Sequence, residues 1–284
     1  MGTANTSPRV MGIVNVTPDS FSDGGLFLEY AAAIAHGLSL AADGADILDI
    51  GGESTRPGAE AVDAQAEIER VGPVVEGLAA GSERTVSIDT SKSTVAAVAL
   101  AAGASIVNDV TAFRADPQMA ALCGERDCGV ILMHMQGSPR TMQDDPVYDD
   151  VVDDVRAFLA ERIETAVSSG VAEERIWVDP GIGFGKTLEH NLELLRRLGE
   201  LRELGRPIVI GTSRKRFLGA ITGRETGRRL GGSIASNVIA LAAGAEVFRV
   251  HDVLATRQAL DVADVILGRH DWRTGPGRVA GDAE

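Results

Sequence analysis

Eight short runs rich in valine and isoleucine recur along the chain, each followed by a longer stretch rich in alanine and leucine. The runs span residues 10–16, 46–51, 85–89, 105–110, 130–135, 176–179, 207–211 and 247–253. Runs so short and so continuously apolar read as strands covered on both faces, the condition of a parallel sheet. The stretches 30–42, 93–102, 149–168, 188–204 and 233–243 favour helix by composition and are free of proline. A Gly-Ala pair closes three of the intervening segments, at Gly44-Ala45, Gly103-Ala104 and Gly244-Ala245. Glycine there supplies the left-handed residue that ends a helix before the next strand. Strict alternation predicts an α/β fold, and the count of eight favours a single-domain (β/α)8 TIM barrel. An open doubly wound sheet is the alternative, weakened because no GxGxxG follows the first run.

Within this frame residues 10–267 form the barrel, 1–9 a flexible N-terminal arm, and 268–284 a polar tail without periodicity. The formal net charge of −14 excludes nucleic acid and anionic membrane surfaces as general partners. It leaves room for a small anion, because residues 206–229 carry seven basic side chains against Glu225 alone. No run approaches the roughly 18 apolar residues of a membrane span, and residues 1–8 lack the apolar core of a signal peptide. Cys123 and Cys128 are too few for a disulfide framework and read as two part-buried thiols in a reducing cytoplasm.

In a barrel of this kind the chemistry gathers at the C-terminal ends of the strands. Read in order, those ends carry Asn15, Asp49 with Glu53 beyond it, Asp89, Asn108-Asp109, His134, Asp179, Ser213-Arg214-Lys215, and Arg249 with His251. Some polar strand ends simply meet water, but Asp89 in VSID and Asn108 in IVND are embedded in apolar runs. A buried carboxylate or amide without partners costs several kcal/mol, so such groups are paired or hold a ligand. The chain has only three lysines, Lys92, Lys186 and Lys215, and each lies just past the end of a strand. Lys215, beside two arginines where a strand gives way to a helix, marks an anion site. Lys92 also suits a helix start, and His134 reads as a packed residue near the pocket floor.

Seven motifs now stand in order on successive strands: MGIVNVTPDSFSDGG at 11–25, GGESTRPGA at 51–59, SIDT at 87–90, NDV at 108–110, DPGIGFGKT at 179–187, SRKRFLG at 213–219 and RVHDV at 249–253. Together they resemble the dihydropteroate synthases, over nearly the whole chain. The resemblance implies a (β/α)8 barrel that condenses 6-hydroxymethyl-7,8-dihydropterin diphosphate with 4-aminobenzoate, with Mg2+, giving 7,8-dihydropteroate and diphosphate. By similarity Asp89, Asn108, Asp179 and Lys215 would hold the pterin. Asn15, Thr55, Arg249 and His251 would meet the diphosphate, and Asn15 would also ligate Mg2+. Arg56, Pro57, Phe184, Ser213 and Arg216 would frame the aminobenzoate. Phe21 and Asp23, with Arg56 and Lys215, would act in catalysis from loops that cover the site. Arg216 replaces a serine common in the family, which leaves its side chain without an inherited role. The resemblance further implies a cytoplasmic homodimer, sensitivity to sulfonamides as aminobenzoate mimics, and a dissociative displacement in which diphosphate leaves first. A pterin-binding methyltransferase would share the deep Asp and Asn but not the STRPG arginine or the SRK–RVHD anion site.

Overall fold

The computed structural model describes residues 7–17, 26–55, 58–138 and 140–271 of the chain. Among the described residues eight strands alternate with helices in chain order: β1 (Arg9–Asn15), α1 (Leu26–Ala42), β2 (Ile47–Gly51), α2 (Ala64–Gly81), β3 (Thr85–Asp89), α3 (Ser93–Ala101), β4 (Ile106–Asp109), α4 (Met119–Glu125), β5 (Gly129–Met133), α5 (Val151–Ser168), β6 (Ile176–Asp179), α6 (Leu188–Arg196), β7 (Val209–Ile210), α7 (Arg216–Thr222), α8 (Leu230–Ala242), β8 (Val247–Val250) and α9 (Val253–Ile266). Every pairing is parallel, in the order β6-β5-β4-β3-β2-β1-β8-β7. A bridge between Val178 and Ile208 joins the two ends and closes the barrel. The open doubly wound sheet is thereby excluded.

Alternation along each strand divides two cores. Val10, Val14, Leu48, Ile50, Val107, Leu132 and Phe248 face the helices and belong to the large outer core. Met11, Ile47, Ile106, Ile131, Val209 and Val247, with Trp177, fill the barrel interior as an apolar plug. This two-sided burial keeps most strand positions apolar, with Asp49, Ser87 and Asp89 as buried polar exceptions on β2 and β3. The helix stops are as the Gly-Ala pairs require, with φ of +99° at Gly44, +112° at Gly103 and +103° at Gly244.

Two expectations need correction. The stretch 188–204 is not one helix: α6 ends at Arg196 and a 3-10 turn, Leu198–Leu204, follows. Gly199 weakens the helix there, and Gly205, at φ +64°, ends the turn. The seventh strand is only Val209–Ile210, and the chain then turns at Ser213–Arg214, where the Lys215 N–H donates to the Thr212 carbonyl at 3.2 Å. The thiols of Cys123 and Cys128 are buried and unlinked.

Candidate active site

Above the apolar plug the inward positions turn polar. Asp49 and Ser87 sit opposite one another on β2 and β3, and Asp89 lies opposite Asn108 on β3 and β4. Asp49, Ser87, Asp89, Asn108 and Asp179 are all buried. The Arg249 guanidinium reaches across from β8, donating from Nε to Asp49 Oδ2 at 2.6 Å and from Nη2 to Asp89 Oδ2 at 2.7 Å. Asn108 Nδ2 donates to the same Asp49 oxygen at 3.2 Å.

The electrostatics follow from this crowding. Burial pushes the Asp89 carboxyl up to about 7, against the pull of Arg249 and with the repulsion of Asp49 added. Burial likewise raises Asp179, opposed by Lys215 and by the Gly181 N–H, which donates to Asp179 Oδ1 at 2.7 Å. Burial alone would lower Arg249, but Asp49 and Asp89 outweigh it and raise it. Lys215 is pushed down to about 8 by burial, with Asp179 resisting the shift.

Lys215 lies between the Asp179 carboxylate and the Phe184 ring. Its ammonium donates to the Ile182 carbonyl and sits 4.5 Å from the centre of the Phe184 ring, a cation–π contact. Phe184 is half-buried against Val110, Met133, Met135 and Met142. The amine rests on the ring, so the two together present an apolar surface beside a cation. The Ser213 hydroxyl bridges the Nδ1 of His251 at 3.0 Å and its backbone N–H at 3.2 Å, so strands β7 and β8 present these two residues as a unit. Arg214, at φ +57°, turns away from this unit to donate to Asp252 Oδ2 at 3.0 Å. Arg229 holds the turn by donating to the carbonyls of Arg214 and Lys215 at 3.0 and 3.3 Å. Two arginines of the basic segment therefore serve as struts, while Arg216 is exposed at the start of α7.

The other two lysines also have definite work. Lys92 caps α3 and bridges Glu53 at 2.5 Å and the fully buried Glu67 at 2.6 Å. Burial works against its charge, but those two carboxylates raise its pKa. Glu53 accepts from the Val62 N–H at 3.0 Å, so the pair ties down the chain beyond β2. Lys186 is buried, 2.8 Å from His134 Nδ1 and 3.0 Å from the Phe184 carbonyl it donates to. Burial drives Lys186 well below the usual lysine range, and burial with Lys186 nearby pushes His134 down to about 2. His134 is therefore a neutral acceptor packed edge-on against Phe158 at 4.9 Å.

The described structure gathers Asp89, Asn108, Asp179, Lys215, Arg249, His251, Ser213 and Phe184 at one mouth of the barrel, with Asn15 at the end of β1 and Thr55 beyond β2. Phe21, Asp23, Arg56 and Pro57 lie outside the described residues, as do 1–6 and 272–284. Asp109, a neighbour of Asn108, faces the other way and accepts from the N–H groups of Thr111 and Phe113, both at 2.8 Å; it shapes a turn. The sequence reading assigned no role to Asp49, Ser87 or the Lys186–His134 pair. Asp49 carried the usable signal, being a carboxylate inside the apolar run ILDIG.

Comparison with known proteins identifies the family. The family model for pterin binding enzymes matches residues 11–251. The dihydropteroate synthase of Escherichia coli (strain K12) is 45% identical over 260 residues, which cover 92% of each chain. Among solved structures, the Xanthomonas albilineans dihydropteroate synthase with 4-aminobenzoic acid is 50% identical with a TM-score of 0.87, covering 92% of this chain and 94% of that one. The same enzyme in complex with 7,8-dihydropteroate is 47% identical with a TM-score of 0.84, covering 93% and 95%. On the motifs, the barrel and these likenesses, the chain belongs to the pterin-binding enzyme family and, within it, to the dihydropteroate synthases.

Proposed function

We propose that the chain condenses 6-hydroxymethyl-7,8-dihydropterin diphosphate with 4-aminobenzoate, and that the polar layer above the barrel plug selects the pterin. The observation that carries this reading is the convergence of buried Asp89, Asn108 and Asp179 with Lys215 and Arg249 at one mouth. A flat heterocycle edged with donors and acceptors suits these groups, which reject an analogue that leaves them unpaired. Arg249, with Asn15, Thr55 and His251 around it, receives the diphosphate. The surface formed by Phe184 and Lys215, with Ser213, Arg216, Arg56 and Pro57, takes the aminobenzoate.

The residues suggest a dissociative displacement. Arg249 and its neighbours draw off the charge of the departing diphosphate, and the buried carboxylates of Asp89 and Asp179 stabilise the methylene cation left on the ring. The aniline nitrogen is nucleophilic when neutral, so its attack needs positioning rather than a strong base. Phe21 and Asp23, on the segment after β1, would help exclude water, which traps the cation as the alcohol.

The donor set fits Mg2+. Asn15 offers one neutral carboxamide oxygen that takes no hydrogen bond among the described residues, and it sits one strand from Gly51, itself opposite Asp89. Among the described residues no three His, Cys, Asp or Glu side chains cluster around a metal position. A single oxygen ligand suits a hard cation that keeps its waters and shares phosphate oxygens. Bound there, the ion would neutralise charge on the leaving diphosphate.

The purified protein with Mg2+ is expected to release diphosphate and form dihydropteroate only when both substrates are present. A sulfonamide is expected to compete with 4-aminobenzoate in the same assay. Folded protein that gives no product would overturn the reading. We further propose a cytoplasmic homodimer. No helix among the described residues is long and apolar enough to cross a membrane. Exposed Ile221, Ile239, Leu254, Val262 and Ile266 on α7, α8 and α9 give a second copy an apolar face to cover. Light scattering is expected to give twice the monomer mass, and a monomer at micromolar concentration would sink this assignment.

A further inference from the structure

We propose that Asp49 is a positioning residue that couples the pterin subsite to the diphosphate subsite, so that filling one tightens the other. The inference rests on the functional reading above, in which Asn108 meets the pterin and Arg249 the diphosphate. Asp49 touches neither ligand in that reading; it touches both residues. One carboxylate oxygen, Oδ2, accepts from Arg249 Nε at 2.6 Å and from Asn108 Nδ2 at 3.2 Å.

That shared oxygen has two consequences. A carboxylate only accepts, so the Asn108 group facing it must be the amide nitrogen, and the Asn108 carbonyl is left for the ligand. The arginine plane is likewise fixed, with Nε on Asp49 and Nη2 on Asp89, leaving Nη1 for an anion. Asp49 is fully buried, and its other oxygen, Oδ1, has no hydrogen-bond partner among the described residues. Its charge is therefore compensated almost entirely through Oδ2. When an anion draws on the Arg249 guanidinium, Asp49 loses part of that compensation and leans more on Asn108. That strengthens the one amide orientation that presents a carbonyl to the pterin. The reverse step must have the same size, since coupling between two ligands is reciprocal.

The test uses 6-hydroxymethyl-7,8-dihydropterin and inorganic diphosphate with Mg2+ as separate probes in isothermal titration calorimetry. In the wild-type protein diphosphate is expected to tighten the pterin alcohol by about five- to twentyfold, within the usual range of such couplings, and the alcohol to tighten diphosphate by the same factor. In Asp49→Asn the factor is expected to fall below about twofold, as the charge that links the two residues is gone. A purely structural Asp49 would weaken both ligands and leave the factor intact, which overturns the proposal. So does a wild-type protein that binds both probes independently. A wild-type protein that binds neither probe strikes instead at the functional reading. If Asp49→Asn does not fold, the wild type still decides: adding diphosphate alone is expected to shift the Asn108 side-chain amide resonances. Unmoved resonances at saturation refute the link.

Discussion

Lys215→Met is expected to lower kcat/KM for the pterin diphosphate by about 100- to 1000-fold while leaving the fold intact. Methionine keeps the length and apolar contact of the lysine stem, so packing against Phe184 survives. The ammonium does not, and with it go the hydrogen bond to Ile182, the cation on the Phe184 ring and the countercharge of buried Asp179. Removing one partner from a buried charged set, or one donor that meets developing charge, costs about 3–4 kcal/mol. Steady-state kinetics with circular dichroism as the folding control would check this, and a loss under tenfold would remove Lys215 from the machinery. The pH dependence gives a second reading of the same residue. With its pKa near 8, the wild-type amine loses its proton above that pH, so kcat/KM should fall on the alkaline side. Lys215→Arg should move that limb upward even if the rate is poorer. Stability runs the opposite way. The folded pKa of about 8 lies below the ordinary 10.5, so between those values the unfolded chain binds more protons. Stability contributed at this site therefore rises with pH across that window, and Lys215→Met should lack the rise.

Gly181→Ala is expected to cause the largest loss of stability among single-methyl changes at the mouth. A Cβ at position 181 would lie 1.9 Å from the His134 carbonyl oxygen, and the residue holds φ at +67°. Neither side yields easily. The His134 N–H is bonded to the Asp179 carbonyl at 2.9 Å, and the Gly181 N–H to the Asp179 carboxylate. We expect a loss of about 3–5 kcal/mol, which lowers Tm by roughly 10 °C in a chain of this size. Gly205→Ala is the control. It shares a left-handed backbone, φ +64°, but has open space where its Cβ would go. It should cost only about 1 kcal/mol. Equal melting of the two variants would show that backbone strain, not the clash with His134, governs position 181.

The barrel was legible because most of its strand positions are buried on both faces, which writes itself as short runs rich in valine and isoleucine. Thr85–Asp89 and Ile176–Asp179 matched to the residue. The short β7 was read too long because Ile208 makes only an isolated bridge to Val178 and the regular pairing stops at Ile210, before Gly211. Asp89 and Asn108 were recognisable as polar groups set in apolar runs. Asp49 met the same criterion, yet its role was hidden, because its partner Arg249 stands 200 positions later in the chain. The Lys186–His134 contact was also out of reach, since nothing in the spacing of residues 134 and 186 says that their side chains meet in the interior. Each of the three scarce lysines lies just past a strand end and is held by named partners there.

That distribution has a practical side. Lys92, Lys186 and Lys215 are the only side-chain amines in the chain. All three lie just past the C-terminal ends of barrel strands, and Lys186 is buried. Reagents that acylate or cross-link amines therefore find no lysine on the helical flanks or on the opposite end. Among side chains, random amine labelling, usually treated as harmless decoration of a surface, would here reach only Lys92 and Lys215. The first anchors the chain beyond β2 and the second packs on Phe184 and the Ile182 carbonyl. A tag, surface tether or fluorophore for this protein is better attached through some other chemistry.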